Sequence, residues 1–142
     1  MKTGFRSAKK TLAAFAVAFV TLAAMPAAAH AADNPLFAEM LFIDKAFRDI
    51  VSAVALGDTD TVVKAVESLH GAAEKTKAAI AEGGVKLRKN ADRMKEFERL
   101  DKEFHKNLGI LSEAASKKNR PKMLATAKRL LDGCIQCHQT FR

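Results

Sequence analysis

Two cysteines and a histidine stand together near the end of this sequence, as Cys134-Ile135-Gln136-Cys137-His138. Thiols three residues apart on a helical turn can both add to vinyl groups along one edge of a porphyrin. The adjacent imidazole is then held where a ring nitrogen reaches the central iron. The spacing is that of c-type haem attachment. Other uses of the same residues fit less well. A redox-active dithiol belongs in a βαβ setting, and no segment here reads as a strand. A zinc site wants about four ligands; Cys134, Cys137 and His138 are three, with no second pair at a suitable spacing. A disulfide between the two cysteines, the only ones in the chain, would close a very short loop and tie nothing distant together.

The residues must be positioned by helices, because the apolar pattern is helical throughout. A first helix is expected from Pro35 to Leu56, capped by Asn34 and ended by Gly57. Its stripe is Leu36, Met40, Ile43, Phe47, Ile50 and Val54. A second is expected from Thr59 to Ala81, capped by Asp58 or Thr59, with Val62, Val66, Leu69 and Ala73 inward and Gly83-Gly84 as its stop. After a charged loop, Val85 to Lys89, a third is expected from Ala91 to Ala115, with Asn90 as cap and Phe97, Leu100, Phe104, Leu108 and Leu111 on one face. Pairs such as Glu98 and Lys102 suit its solvated side. The last is expected from Pro121, after Asn119, nearly to the end, with Leu124, Ala127, Leu131, Cys134 and His138 on or near one face. Four amphipathic helices of similar length with short connections pack most simply as an all-α, antiparallel up-down-up-down four-helix bundle. The haem-bearing motif lies on its last helix.

The start of the chain reads differently. Lys2, Arg6, Lys9 and Lys10 precede an apolar run, Thr11 to Ala24, and then small residues ending Ala29-His30-Ala31. That order is a secretory signal peptide, with cleavage placed after Ala31 and Ala29 as the alternative. The apolar run is shorter than the roughly twenty residues of a spanning helix. Residues 1–31 are thus a leader and 32–142 the bundle. Losing four positive side chains lowers the formal charge from +8 to +4. The basic balance is partly an export feature, and without Trp or Tyr or an aromatic-studded basic block it does not indicate nucleic-acid binding.

An exported chain with helical periodicity and a C-terminal Cys134-x-x-Cys137-His138 resembles the cytochrome c-prime family, the class II c-type cytochromes, over essentially all of residues 32–142. The resemblance implies one covalent haem c linked through Cys134 and Cys137, with His138 as the proximal iron ligand. It also implies that a first-helix residue faces the other side of the iron. A Met there marks low-spin, electron-transferring relatives; an apolar residue, often Leu, marks high-spin ones. The apolar stripe puts Met40 in that place, while counting back from Gly57 puts Leu41 there. The stripe is the firmer guide, because a buried face cannot rotate by one residue without exposing its apolar side chains. Only Gln139, Thr140, Phe141 and Arg142 follow the motif, so any sixth ligand comes from earlier in the chain; His70 and His105 are the other nitrogen donors. Phe37, Phe47, Phe97 and Phe104 are expected in the pocket wall or the general core.

The expected function is a periplasmic one-electron carrier with redox partner proteins acidic at the contact, and no membrane association after leader removal. The alternative is a high-spin, five-coordinate haem protein that binds NO or CO. No enzyme activity is expected, since the first-helix face offers no evident acid–base residue and Asp44 reads as outward. A homodimer is an expectation by resemblance.

Overall fold

A computed structural model describes residues 34–142; the signal peptide expected over residues 1–31 lies outside them. Five α-helices and one short 3-10 helix form the described chain: α1 Pro35–Leu56, α2 Thr59–Glu67, α3 His70–Ala81, the 3-10 turn Ala91–Arg93, α4 Met94–Ser116 and α5 Arg120–Phe141. No strand occurs among the described residues, and none of their helices is long and apolar enough to cross a membrane.

Most helix ends follow local chemistry. Asn34 Oδ1 accepts from Leu36 N at 3.2 Å, Asp58 Oδ1 from Thr61 N at 3.1 Å and Asn119 Oδ1 from Lys122 N at 3.0 Å. Each satisfies a donor that the first turn leaves free. Gly57 ends α1 at φ 75°, a left-handed conformation that costs glycine little. A side chain there would also run into the Arg120 guanidinium at the start of α5.

Two boundaries differ from the sequence reading. The expected second helix is interrupted at Ser68-Leu69. Ser68 Oγ donates to the Ala65 carbonyl at 2.7 Å, and Leu69 N reaches Val66 O at 3.1 Å, three residues back and not four. A serine hydroxyl that bonds backwards competes with the helix ladder and tightens the turn. Asn90 does not cap the third helix. It sits at φ 52°, and its side-chain amide donates to the Thr140 carbonyl of α5 at 2.6 Å. The helix opens as a 3-10 turn instead. On its solvated face Arg99 pairs with Glu103 at 3.2 Å and Glu113 with Lys117 at 2.6 Å, with no Glu98–Lys102 pair among the described residues.

Helix α1 packs against α2, α3 and α5; α4 packs against α2 and α5. The main core is built by Ile43, Ile50, Val62, Leu111, Met123 and Leu130 with their neighbours, and Met40, Phe47 and Phe104 pack against it half-buried. A second cluster closes one end. There Val85 of the loop, Phe97, Leu100 and Phe141 meet Leu36, Ile80 and Cys137, and Phe97 stacks edge-on to Phe141 with ring centres 5.6 Å apart. Asn90 and Lys89 tie the loop to the end of α5, and Asn34 Nδ2 reaches Lys86 O at 3.4 Å.

The buried faces are rotated from the expected ones. In α5 the buried residues are Met123, Thr126, Ala127, Leu130 and Phe141, while Leu124 and Leu131 stand 49% and 48% exposed. In α1 the deepest line is Glu39, Ile43, Ala46, Ile50 and Ala53. The expected Leu36, Met40, Phe47 and Val54 flank that line, half-buried. Small Ala46 and Ala53 let neighbouring helices approach closely, so the face with alanines goes inward and the bulkier flank covers the edge.

Candidate functional site

Cys134 and Cys137 lie on the last turns of α5, both unpaired and half-buried. Burial raises the pKa of the Cys134 thiol. Burial also raises that of Cys137, helped by the negative charges of Asp101 and of Cys134. Redox-active dithiols need the opposite, a thiol lowered by a helix N-terminus or a cation, so these are poorly placed for disulfide exchange. His138 is exposed. Among the described residues the one group of three or more metal-ligating side chains that converges within 4.8 Å is Glu39, Asp101 and His105. Cys134, Cys137 and His138 therefore do not gather around a common point, as a zinc site would require.

The surroundings of the motif are apolar. Leu124, Leu131, Ile135 and His138 follow at steps of seven, four and three, so they share one side of α5. All of the exposed large apolar side chains among the described residues belong to α1 or α5: Phe37, Leu41, Phe42, Val51 and Leu56 on one, Leu124, Leu131 and Ile135 on the other. A flat apolar group linked to the two thiols beside an exposed imidazole would cover part of this surface. On that chemistry the residues present fit a covalent haem. Met40 is half-buried against the main core, and Leu41 is 58% exposed.

Beside the motif lies a polar cluster. Glu39 of α1 is 1% exposed. His105 Nε2 stands 3.0 Å from Glu39 Oε1 and 3.5 Å from Asp101 Oδ1. The 3.0 Å contact is an ion pair, and neither Glu39 oxygen receives a well-aligned hydrogen bond. Asp101 and His105 also line a groove of about 740 Å³ between α2–α3 and α4, with Leu69, Ala73, Ile80 and Leu108. A smaller cavity of about 120 Å³ between α4 and α5 touches Phe104, Asn107, Leu130 and Gln136. His70 is exposed at the groove's edge.

The sequence reading missed Glu39 and Asp101 and treated His105 only as a lone nitrogen donor. A signal existed: Asp101 and His105 are four apart and so share a helix face, and Glu39 falls beside the apolar stripe of α1. Asp44, the carboxylate that reading named, points outward and pairs with Arg48 at 2.6 Å.

The cluster has a pH consequence. Asp101 first and Glu39 second favour the imidazolium, against burial, and push the His105 pKa from 6.5 to about 9. A pKa raised by folding stabilises the folded state fully below the unfolded value and loses that contribution as pH rises through the folded one. Glu67 of α2, His70, Glu74 and Lys77 of α3, and Glu98 and Lys102 of α4 face the same groove, so the comparison must be made within one background. In chelator-treated protein, the stability difference between wild type and His105→Gln should be largest below pH 6.5 and shrink between pH 6.5 and about 9. Urea midpoints measured across that range test it; a constant difference would refute it.

Comparison with protein-family models, with curated proteins and with solved structures finds no match to the chain.

Proposed function

We propose that the chain is a monohaem c-type cytochrome. Within that class we place it with the cytochrome c-prime family, as a periplasmic one-electron carrier. The observation that carries this reading is the Cys134-x-x-Cys137-His138 motif on a helix whose thiols are unpaired, raised in pKa and set beside an exposed imidazole and an apolar ridge. Four helix ends support the bundle order that the family implies. The start of α1 and the end of α5 are tied to the loop between α3 and α4, while Gly57 at the end of α1 meets Arg120 at the start of α5. We read this as up-down-up-down packing with antiparallel neighbours.

Cys134 and Cys137 would hold haem c through thioether links, and His138 would bind its iron. When bound, the haem supplies a one-electron couple whose potential depends on its axial ligands and surroundings. Leu131 and Ile135 would shield the attached group from water, and Met40 is the residue that could supply a second ligand to its iron. Lys and Arg side chains exceed acidic ones after leader removal, so acidic faces of redox partners would be drawn to it, more weakly at high salt.

The second reading is a five-coordinate protein open to NO or CO, and it is favoured by the packing of Met40 against the hydrophobic core. Absorption and resonance Raman spectra of the ferric and ferrous protein separate the two. The carrier reading expects low-spin iron that turns high-spin in Met40→Ala. A high-spin wild type that takes up CO rapidly would establish the gas-binding reading instead. Low-spin iron untouched by Met40→Ala would move the ligand to His70 or His105.

A further inference from the structure

With Met40 as the second iron ligand, the cytochrome reading leaves Glu39, Asp101 and His105 without a task. We propose that these three side chains bind a divalent transition-metal ion of the zinc type, with Glu39 supplied by α1 and Asp101 and His105 by successive turns of α4. The distances suit such an ion. Zinc bonds of about 2.0–2.2 Å in a tetrahedral arrangement place neighbouring ligand atoms roughly 3.3–3.6 Å apart. Here the separations from His105 Nε2 are 3.0 Å to Glu39 and 3.5 Å to Asp101, and all three ligand atoms lie within 4.8 Å of one another.

Glu39 is the independent observation. Its side chain is fully buried, it is aimed into the cluster, and neither of its oxygens receives a hydrogen bond. A buried carboxylate is costly unless a cation balances it, and the one cationic group beside Glu39 in this cluster, His105, is shared with Asp101. An imidazolium cannot balance two carboxylates, and the cluster would keep a net negative charge. A divalent ion bound by neutral His105 brings the sum to zero. The imidazole decides the class of ion, because nitrogen ligands suit zinc-type metals whereas calcium and magnesium prefer oxygen alone. Asp101 and His105 line the groove, which supplies the entry path and room for a fourth ligand such as water. Three protein ligands with one exchangeable position is the pattern of zinc sites that stay open to chemistry.

Calorimetric titration of the purified exported protein with zinc chloride, after chelator treatment, tests the proposal. Any chain that escapes haem attachment keeps two free thiols that could take zinc, so the titration is repeated in Cys134→Ser/Cys137→Ser. The expected result is one equivalent of zinc in both proteins. Glu39→Gln and His105→Gln should each weaken it by at least about tenfold, the loss seen when even an outer partner of a metal ligand is removed. X-ray absorption at the zinc edge should show nitrogen and oxygen neighbours without sulfur. Should Glu39→Gln fail to keep the wild-type circular dichroism spectrum, His105→Gln and the absorption edge decide the matter. No uptake by wild type, uptake insensitive to both substitutions, a sulfur shell lost in the cysteine variant, or magnesium binding as tight as zinc would each overturn it. The haem assignment is read separately, from the mass of the attached group, and of these outcomes only the sulfur shell, which needs thiols free of haem, bears on it.

Discussion

Cys134→Ser/Cys137→Ser should be exported and cleaved yet carry no covalent haem. Mass spectrometry of the mature polypeptide should find the bare chain, whereas the proposed cytochrome requires wild type to be heavier by one haem. Acidified organic solvent should strip any residual colour from the variant and leave it on the wild type. The effect is all or nothing because a thioether either forms or does not. Either cysteine alone leaves one link, so Cys134→Ser and Cys137→Ser should keep part of the haem with a shifted absorption band. The raised pKa of both thiols keeps them largely protonated at neutral pH. They should therefore react slowly with alkylating reagents in any chain that escapes attachment, which gives a second measure of the unmodified fraction. A wild-type mature chain of bare polypeptide mass would remove the cytochrome assignment altogether.

Leu130→Ala should cost about 3 kcal/mol, within the range of about 2–5 for truncating a buried leucine. Leu130 is fully buried in the main core between α4 and α5. For a domain of this size that corresponds to a drop in Tm of well over 10 °C. Leu124→Ala, one and a half turns earlier on the same helix, should cost less than about 1 kcal/mol, because its side chain already stands 49% exposed. Urea unfolding with an unchanged m-value measures both. The pair tests the rotation of α5 directly. If Leu124→Ala proved the more damaging, the helix would be turned as its apolar pattern alone suggests, and the environment assigned to Cys134 and Cys137 would turn with it.

How much of this was legible beforehand differs from residue to residue. The Cys134-x-x-Cys137-His138 spacing is a local matter: two thiols and an imidazole at fixed spacing on one chain need no tertiary partner to be recognised. The caps at Asn34, Asp58 and Asn119 are equally local, since each side chain bonds a backbone N–H two or three residues on. Helix existence follows from periodicity and from Gly57 and Gly83. Asn90 shows the limit of that reasoning. Its amide could cap a neighbouring turn, but the end of α5 comes close enough to offer the Thr140 carbonyl, and the long-range bond wins.

Helix rotation escapes local reasoning for a related cause. Both α1 and α5 carry more apolar residues than one face holds, so the sequence permits several orientations of similar apolar content. Packing chooses among them. Ala46 and Ala53 in α1 allow the close approach that Leu41 and Phe42 would block, and Met123 and Leu130 fill the space in α5 that Leu124 and Leu131 leave. Glu39 is the sharpest case, since a carboxylate beside an apolar stripe reads as solvated, and only the arrival of His105 and Asp101 from α4 gives it a reason to be buried. The sequence by itself determined what lies within one turn of one helix: the Cys134-x-x-Cys137-His138 spacing, the caps and the helical class. The tertiary structure decided which faces turn inward and which charges meet, because burial and ion contacts depend on atoms that the chain brings together from 62 residues apart, as between Glu39 and Asp101.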